Sequence, residues 1–336
     1  MNRYSPVSKD SWQGRVDDPA DRDSWRWHQC VELINLEGEM PAINDWIGKV
    51  GFCFIGFSCD KGVEKNLGRV GTAMGPFSIR RAMSNLPVEF HETAQLFDAG
   101  NIHCLDGCLE ASQEALARAV ERILQWGLFP IVLGGGHEIA FGHYTGLRYF
   151  RKAAGDTKRL GIVNFDAHFD LRPYHLNGPS SGTMFRQIAD ACVENDQAFR
   201  YFVLGIQKYG NTVSLFKTAR SLNTSYVLAK DMHSANFPAI RNQLDTFLAG
   251  VDQVYLTICS DVFSSAYAPG VSAPQPFGLE PETVMYLMKH ILQSNKVISF
   301  DIAEVSPRFD EDNHTAKLAS VLIYGFVNTL LEITNG

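Results

Sequence analysis

Short apolar runs alternate with amphipathic stretches along the chain from Val50 onward. β-Branched and aromatic residues are frequent in the short runs, and such residues favour strands. The sequence therefore predicts eight strands, which are Val50–Phe57, Ala94–Phe97, Phe129–Leu133, Leu160–Phe165, Tyr201–Leu204, Ser225–Leu228, Val254–Cys259 and Val297–Ile302.

The stretches between these runs carry apolar side chains at about every third or fourth position, the period of an amphipathic helix. The clearest example is Leu109–Trp126. The other predicted helices are Pro76–Leu86, Ile139–Phe150, Thr212–Ser221, Phe237–Ala249, Pro281–Leu292 and Thr315–Ile333. This alternation predicts an α/β fold of three α/β/α layers, with one roughly eight-stranded, mostly parallel sheet covered on both faces.

The first 45 residues differ from the rest because they are polar and rich in turn-forming residues. Trp12, Trp25 and Trp27 lie in this segment, and Trp46 follows it directly. We expect residues 1–45 to form an arm that packs on the body of the protein or on a neighbouring subunit. No proline- or serine-rich linker divides residues 46–336, so we expect them to form a single domain.

The composition narrows the class of protein further. The 336 residues include 30 Lys and Arg against 37 Asp and Glu, which gives a net charge of −7. This charge does not suit a nucleic-acid-binding protein, which needs a basic surface. No apolar run approaches the roughly 18–20 residues of a membrane-spanning helix, and the N-terminus lacks the apolar core of a signal peptide. We therefore expect a soluble, cytoplasmic protein without nucleic-acid or membrane partners.

Side chains of metal-ligand type follow several predicted strands. The run Asp166-Ala-His168-Phe-Asp170 places three of them at i, i+2 and i+4, which project to one side of an extended segment. The strand before them has the pattern of a fully buried strand, so a metal site is favoured over a solvated strand face. His137 follows three glycines after another strand. On its own, that run fits a metal ligand and a phosphate-binding turn or helix cap equally well.

Two further strands end in the same way. Cys259 and Asp261 emerge at i and i+2 from one strand, and Asp301 and Glu304 lie at the end of another. A buried aspartate such as Asp301 needs partners, and we expect it to support the metal ligands or to anchor the backbone. Glu304 lies further out, where it can face a substrate.

Together these residues form a cluster rich in carboxylates and imidazoles, which suits manganese or another divalent ion. The cluster has enough ligands for two ions about 3.5–4 Å apart that share bridging carboxylates. Such a pair lowers the pKa of a bridging water, so the expected reaction is hydrolysis at an electrophilic carbon. The sequence has no G-x-S-x-G elbow after a strand, no Walker lysine and no G-x-G-x-x-G turn.

These motifs, in this order, resemble those of the ureohydrolases, the arginase–agmatinase superfamily of binuclear manganese enzymes. The resemblance runs from about Gly51 to Leu331, and it implies an arginase-like fold. The matching runs are Asn66–Gly71, Gly75–Arg80, Gly134–His137, Asp166–Asp170, Cys259–Asp261 and Ala268–Gly270. Members of this superfamily are commonly homo-oligomers, so the resemblance also implies a homo-oligomer.

Within the superfamily, the runs Asn164–Arg172, Ser180–Gln187 and Ala268–Pro274 are most similar to those of the formimidoylglutamases of histidine degradation. This resemblance implies hydrolysis of N-formimidoyl-L-glutamate to L-glutamate and formamide, by a hydroxide that bridges two Mn²⁺ ions. The substrate would be a small molecule that carries carboxylates.

Position by position, the resemblance implies functional roles for particular residues. Asp166 and Cys259 would bridge the two ions. Asp170 would also orient the hydroxide and take its proton, and Glu304 would hold the formimidoyl group. The six metal-ligand positions are occupied by His137, Asp166, His168, Asp170, Cys259 and Asp261.

Two arginines near the metal loop, Arg172 and Arg186, suit the recognition of the substrate carboxylates, because a guanidinium forks onto a carboxylate. The alternative for both arginines is ordinary ion pairing at the protein surface. We predict that they bind substrate together with Glu304.

Two positions depart from the pattern of the superfamily. Phe185 stands where arginases carry a histidine proposed to shuttle protons, which argues against an arginase. Cys259 stands where an aspartate is usual, and its softer thiolate is a poorer bridge between manganese ions, so one ion is expected to be weakly held. Two alternatives remain open. One is a ureohydrolase for an acidic guanidino compound such as guanidinobutyrate, and the other is a weakly active relative that binds a metabolite.

Overall fold

A computed structural model describes residues 2–40, 49–90 and 93–335 of the chain. The strands within these ranges are β1 (Tyr4–Ser5), β2 (Glu32–Leu33), β3 (Val50–Ser58), β4 (Ala94–His103), β5 (Phe129–Leu133), β6 (Leu160–Phe165), β7 (Tyr201–Ile206), β8 (Ser225–Leu228), β9 (Gln253–Cys259) and β10 (Val297–Ala303). The helices are α1 (Trp27–Cys30), α2 (Lys61–Lys65), α3 (Gly75–Met83), α4 (Leu109–Gln125), α5 (Ile139–Ala153), α6 (Met184–Glu194), α7 (Val213–Ser221), α8 (Phe237–Ala249), α9 (Pro281–Leu292) and α10 (His314–Asn335).

The strands form one sheet in the order β1-β4-β3-β5-β10-β9-β6-β7-β8, and β2 also pairs with β4. All of the described strand pairs are parallel except β1 with β4, which is antiparallel. The mostly parallel α/β sheet predicted from the sequence is therefore confirmed. The two additional strands, β1 and β2, have two residues each, too few for a hydrophobic period to be recognised.

Helices cover both faces of the sheet and bury two hydrophobic cores. One core lies under α3, α8, α9 and α10, and the other lies under α4, α5, α6 and α7. Because both faces are covered, a central strand such as β6 is buried along its whole length. This burial explains why the central strands are near-continuous apolar runs in the sequence.

Helix α6 was not among the predicted helices. Its apolar residues recur at a helical spacing and are buried against the sheet; they are Met184, Phe185, Ile188, Ala189 and Cys192. The periodicity that identifies the other helices was therefore present here as well.

Helix α10 has the length and the apolar composition of a membrane-spanning helix between His314 and Thr334. The expectation that no segment approaches that length is therefore wrong. Half of this stretch is buried inside the protein, where α10 packs against α3 and α9. A helix in the core of a protein can be as long and as apolar as a membrane-spanning helix. Packing against α3 and α9 therefore explains the apolar composition of α10.

Residues 2–40 lie against the body of the protein. Trp12 and Trp27 are buried in the core beside α3 and α10, and the ring of Trp27 lies 6.0 Å from the rings of Phe54 and Tyr324. Trp46, and the boundary between residues 45 and 46, lie outside the described residues. The division into an arm and a domain stays a prediction.

Candidate metal centre

The predicted ligands come from the carboxyl ends of β5, β6, β9 and β10, which are neighbours in the order β5-β10-β9-β6. Parallel strands place their carboxyl ends at one edge of the sheet, where α/β proteins bind ligands. A pocket of about 280 Å³ opens at this edge. The predicted metal ligands and acid that line it are His137, His168, Asp170, Cys259, Asp261 and Glu304.

The three glycines before His137 allow a close approach of backbones. A Cβ atom on Gly134 would lie 2.6 Å from the carbonyl oxygen of Ile302, and one on Gly135 would collide with that of Cys59. Only glycine therefore lets the chain leave β5 between these neighbours. The turn ends with the backbone N–H of His137 donating to Glu304 Oε1 at 2.9 Å.

The ring of His137 is held from both sides. Its Nδ1 lies 3.0 Å from Asp166 Oδ2 and 3.3 Å from Asp170 Oδ2. Its Nε2 is hydrogen-bonded to Thr257 Oγ1 at 3.1 Å. A fixed second nitrogen is typical of histidines that bind a metal, because it sets the orientation of the ligating one.

His168 bridges two carboxylates. Its backbone N–H donates to Asp166 Oδ1 at 2.7 Å, and its Nδ1 lies 3.1 Å from Asp261 Oδ2. Asp170 and Glu304 both have left-handed backbones, with φ of 50° and 68°. Non-glycine residues are strained in this region, and such strain concentrates at functional sites.

The donor atoms form two overlapping groups. His137, Asp166 and Cys259 bring one atom each to within 4.8 Å of one another, and so do Asp166, His168 and Asp261. Asp166 belongs to both groups, as a residue shared between two ions would. Asp170 stands beside them through its contact with His137.

Three buried polar atoms at this site make no hydrogen bond of normal geometry among the described residues. They are His137 Nδ1, which has close carboxylate contacts only, Asp261 Oδ1 and Glu304 Oε2. Burying a polar atom without a partner is costly. The first two are donor atoms of metal-ligating residue types. The donor set therefore fits divalent cations, and Glu304 Oε2 is free for another ligand.

The raised pKa values of the acids at this site also indicate that the site fits divalent cations. Burial, and then the charge of Asp166, raise the pKa of Asp170 to about 7. Burial and the surrounding carboxylates raise the pKa of the Cys259 thiol well above its usual value. Burial, and then the charges of Glu138 and Asp261, likewise raise the pKa of Glu304. Crowded acids of this kind are destabilised as anions, and a bound cation relieves that destabilisation.

Phe185 forms one wall of the centre. Its ring lies edge-on to His137 at 5.5 Å between centroids and stacks on Tyr201 at 4.3 Å. No proton can pass through this side chain.

The structure separates the two arginines that were predicted to bind substrate. Arg172 lines the pocket and has an exposed side chain. Arg186 does not line it, and its Nε donates to Asp190 Oδ1 at 3.1 Å on the same helix. The surface-pairing alternative describes the position of Arg186, and only Arg172 is placed to meet a ligand.

Asp301 does not contact the predicted metal ligands through any described hydrogen bond. Its carboxylate instead accepts hydrogen bonds from Tyr255 and from His143 Nδ1, the latter at 2.6 Å. Asp301 thus links β10 to α5 and β9 within the core.

Several residues that line the pocket had been given no role from the sequence. They are Asn66, Leu67, Gly68, Arg69, Ser181, Asn211, Leu215, Ser272 and Ala273. The first four belong to the run Asn66–Gly71 that resembles the superfamily, so the motif was a signal without an assigned function. Ser181, Ser272 and Ala273 likewise lie in the runs Ser180–Gln187 and Ala268–Pro274 that resemble the formimidoylglutamases. Only Asn211 and Leu215 lie outside every matching run, and the folded chain alone brings them to the pocket.

Comparisons with known proteins agree with this geometry. The profile of the Arginase family matches residues 50–327, and the chain belongs to this family. It is 50% identical to a formimidoylglutamase of Clostridium tetani over 98% of this chain and 97% of that protein. It is also 45% identical to a formimidoylglutamase of Lysinibacillus sphaericus, over 98% of both chains.

Solved structures are similar as well. The crystal structure of a formimidoylglutamase from Bacillus subtilis matches with a TM-score of 0.79 at 21% identity, over 95% of this chain and 96% of that chain. A variant of a Trypanosoma cruzi formiminoglutamase, solved with two Mn²⁺ ions, matches with a TM-score of 0.73 at 25% identity, over 83% and 93% of the two chains.

Proposed function

We propose that the protein is a formimidoylglutamase, a hydrolase that converts N-formimidoyl-L-glutamate and water to L-glutamate and formamide in histidine catabolism. The observation that carries the proposal is the pair of donor groups that share the buried Asp166. Their other four residues line the pocket. The choice of substrate is supported by the 50% identity to the formimidoylglutamase of Clostridium tetani.

The cofactor of this reaction is a pair of Mn²⁺ ions, as in the Trypanosoma cruzi relative. His137, Asp166 and Cys259 would hold one ion, Asp166, His168 and Asp261 the other, with Asp170 completing the set beside His137. When bound, two such ions make a water nucleophilic near neutral pH. Because the Cys259 thiol is a soft ligand, we expect the ion beside it to be the weakly held one.

The chain's own acids handle the substrate and the protons. The unpartnered Oε2 of Glu304 can accept a hydrogen bond from the cationic formimidoyl group, while its Oε1 stays fixed on the His137 N–H. Asp170 takes a proton from the attacking water and returns it to the departing nitrogen of glutamate. The C–O bond forms first by addition of water to the formimidoyl carbon. The C–N bond to the protonated nitrogen of glutamate then breaks, which releases glutamate and formamide.

The other end of the substrate carries two carboxylates. Arg172 lies on the wall of the same pocket, and its guanidinium offers a fork to one of them. We place this reaction in the cytoplasm, and we expect the chain to act as a homo-oligomer.

The test is formamide release from N-formimidoyl-L-glutamate by the protein after incubation with Mn²⁺. We expect release that disappears after treatment with a chelator and returns when Mn²⁺ is added back. No release of formamide, together with release of urea from guanidinobutyrate, would contradict the proposal and identify a ureohydrolase for acidic guanidino compounds.

A further inference from the structure

Arg69 lines the same pocket as the predicted metal ligands, and its side chain is anchored there. Its Nη2 donates to the carbonyl oxygen of Val271 at 2.6 Å and its Nε to that of Ser272 at 3.1 Å. The guanidinium also lies over the ring of Phe309, 4.2 Å from its centroid. Three contacts therefore fix the orientation of a side chain that would otherwise be free to rotate.

None of these contacts neutralises the charge of Arg69. No carboxylate pairs with Arg69 in the part of the chain that the structure describes, and its Nη1 makes no hydrogen bond there. Arg186, by contrast, pairs with Asp190. An oriented and uncompensated guanidinium in a pocket is suited to an anionic ligand.

The loop that carries Arg69 is also fixed in place. The backbone N–H of Arg69 donates to Ser272 Oγ at 2.9 Å, and that of Gly71 donates to Asp60 at 2.9 Å. A Cβ atom on Gly68 would lie 2.5 Å from Ser272 Oγ, so the loop approaches its neighbour as closely as only glycine allows. A cation presented by such a loop loses little conformational freedom when it binds a ligand.

The pocket is lined by both negative and positive side chains. Carboxylates cover the floor, and two arginines from separate loops, Arg69 and Arg172, lie on the walls. A substrate with a cationic reacting group and two carboxylates at its other end has the complementary distribution. Arg172 can satisfy only one of those carboxylates.

We propose that Arg69 is the specificity-determining residue that binds the second carboxylate of the substrate and so selects dicarboxylates over monocarboxylates. This inference rests on the proposed formimidoylglutamase activity. It assigns to Arg69 a role in reading the substrate tail and no part in the hydrolysis.

The experiment compares the wild type with Arg69→Met on three substrates. These are N-formimidoyl-L-glutamate, N-formimidoyl-4-aminobutyrate, which lacks the α-carboxylate, and N-formimidoyl-L-norvaline, which lacks the γ-carboxylate. Losing a charge-assisted hydrogen bond should lower kcat/KM for the dicarboxylate by about 10- to 100-fold. For the analogue that lacks the carboxylate bound by Arg69, the loss should be less than about threefold. That analogue identifies which carboxylate Arg69 holds.

Arg308→Met is the matched control, because Arg308 lies near the same Phe309 ring without lining the pocket. We expect its kinetics to equal those of the wild type on all three substrates. An equal loss for Arg69→Met on every substrate would mean that Arg69 only shapes the loop, and no loss would mean that it has no role. Either result overturns the inference while the wild type still releases formamide.

If the wild type turns over none of these substrates, the proposed function fails. The role of Arg69 can then still be tested by equilibrium binding. L-Glutamate should then bind the wild type more tightly than 4-aminobutyrate or L-norvaline does, and Arg69→Met should remove that preference for one of the two. An unchanged preference in the variant would overturn the role of Arg69.

Discussion

Cys259 places a thiol in one of the two groups of metal-type donors, beside His137 and Asp166. The side chain is buried beside Asp166 and the other carboxylates, which favour its neutral form. A neutral thiol is a poor ligand, and binding a cation there requires loss of the proton. Among single residues, we therefore expect Cys259 to limit the affinity of the centre for manganese the most.

We predict that Cys259→Asp raises the affinity of the weaker manganese ion by about tenfold or more, because a carboxylate is a harder and better bridging ligand. Titration of the metal-free protein with Mn²⁺ measures this affinity. Cys192→Ser is the control, since Cys192 is buried on α6 against Tyr144 and should not alter binding. If both metal content and activity are the same in Cys259→Asp and the wild type, position 259 is not a ligand.

The sequence alone was enough to predict the strand-end ligands, because their alternation after apolar runs is a local pattern. The role we now propose for Arg69 had no such pattern. It depends on the carbonyl groups of Val271 and Ser272, which lie about two hundred residues away in the chain. Arg186 shows the reverse case, because its position near the metal loop in sequence does not bring it to the pocket.

At the scale of elements, α3 is joined to β4 by a buried ion pair. Arg80 Nε and Nη2 donate to the carboxylate of Asp98 at 2.6 and 2.9 Å, and both side chains are almost fully buried. Trp12 Nε1 also donates to Asp98 at 2.6 Å. One carboxylate thus connects the N-terminal segment, a helix and a strand.

We expect Asp98→Ala to lower the free energy of unfolding by about 3–5 kcal/mol, because it leaves the Arg80 charge buried without its partner. Urea denaturation of the metal-loaded protein measures the change. Lys289→Ala, which breaks an exposed pair between α9 and α10, should leave the midpoint nearly unchanged. Equal midpoints for Asp98→Ala and the wild type would show that the network does not stabilise the fold.

Asp98 also explains why the strand predicted from the sequence was too short. The predicted strand ended at Phe97, whereas β4 continues to His103. Asp98 and Asn101 interrupt the apolar run, yet both lie in the sheet because Arg80 satisfies them. The partner of a buried charge is a tertiary feature, so a local pattern cannot reveal it.

At the scale of the whole molecule, the order of the strands creates the site. The backbone of His137 and the carboxylate of Glu304 are 167 residues apart in the sequence and 2.9 Å apart in the fold. The insertion of β10 between β5 and β9 brings them together. The alternation of strands and helices predicted a parallel sheet, but the order of its strands came only from the structure.

The central claim is that one floor of carboxylates and histidines holds two cations that share Asp166. The most direct test is the number of manganese ions bound per chain at saturation, in the wild type, Asp261→Ala and Asp166→Ala, with circular dichroism to check folding. We predict two ions in the wild type, one in Asp261→Ala and none in Asp166→Ala. Folded Asp166→Ala protein that binds as many ions as the wild type would contradict the claim.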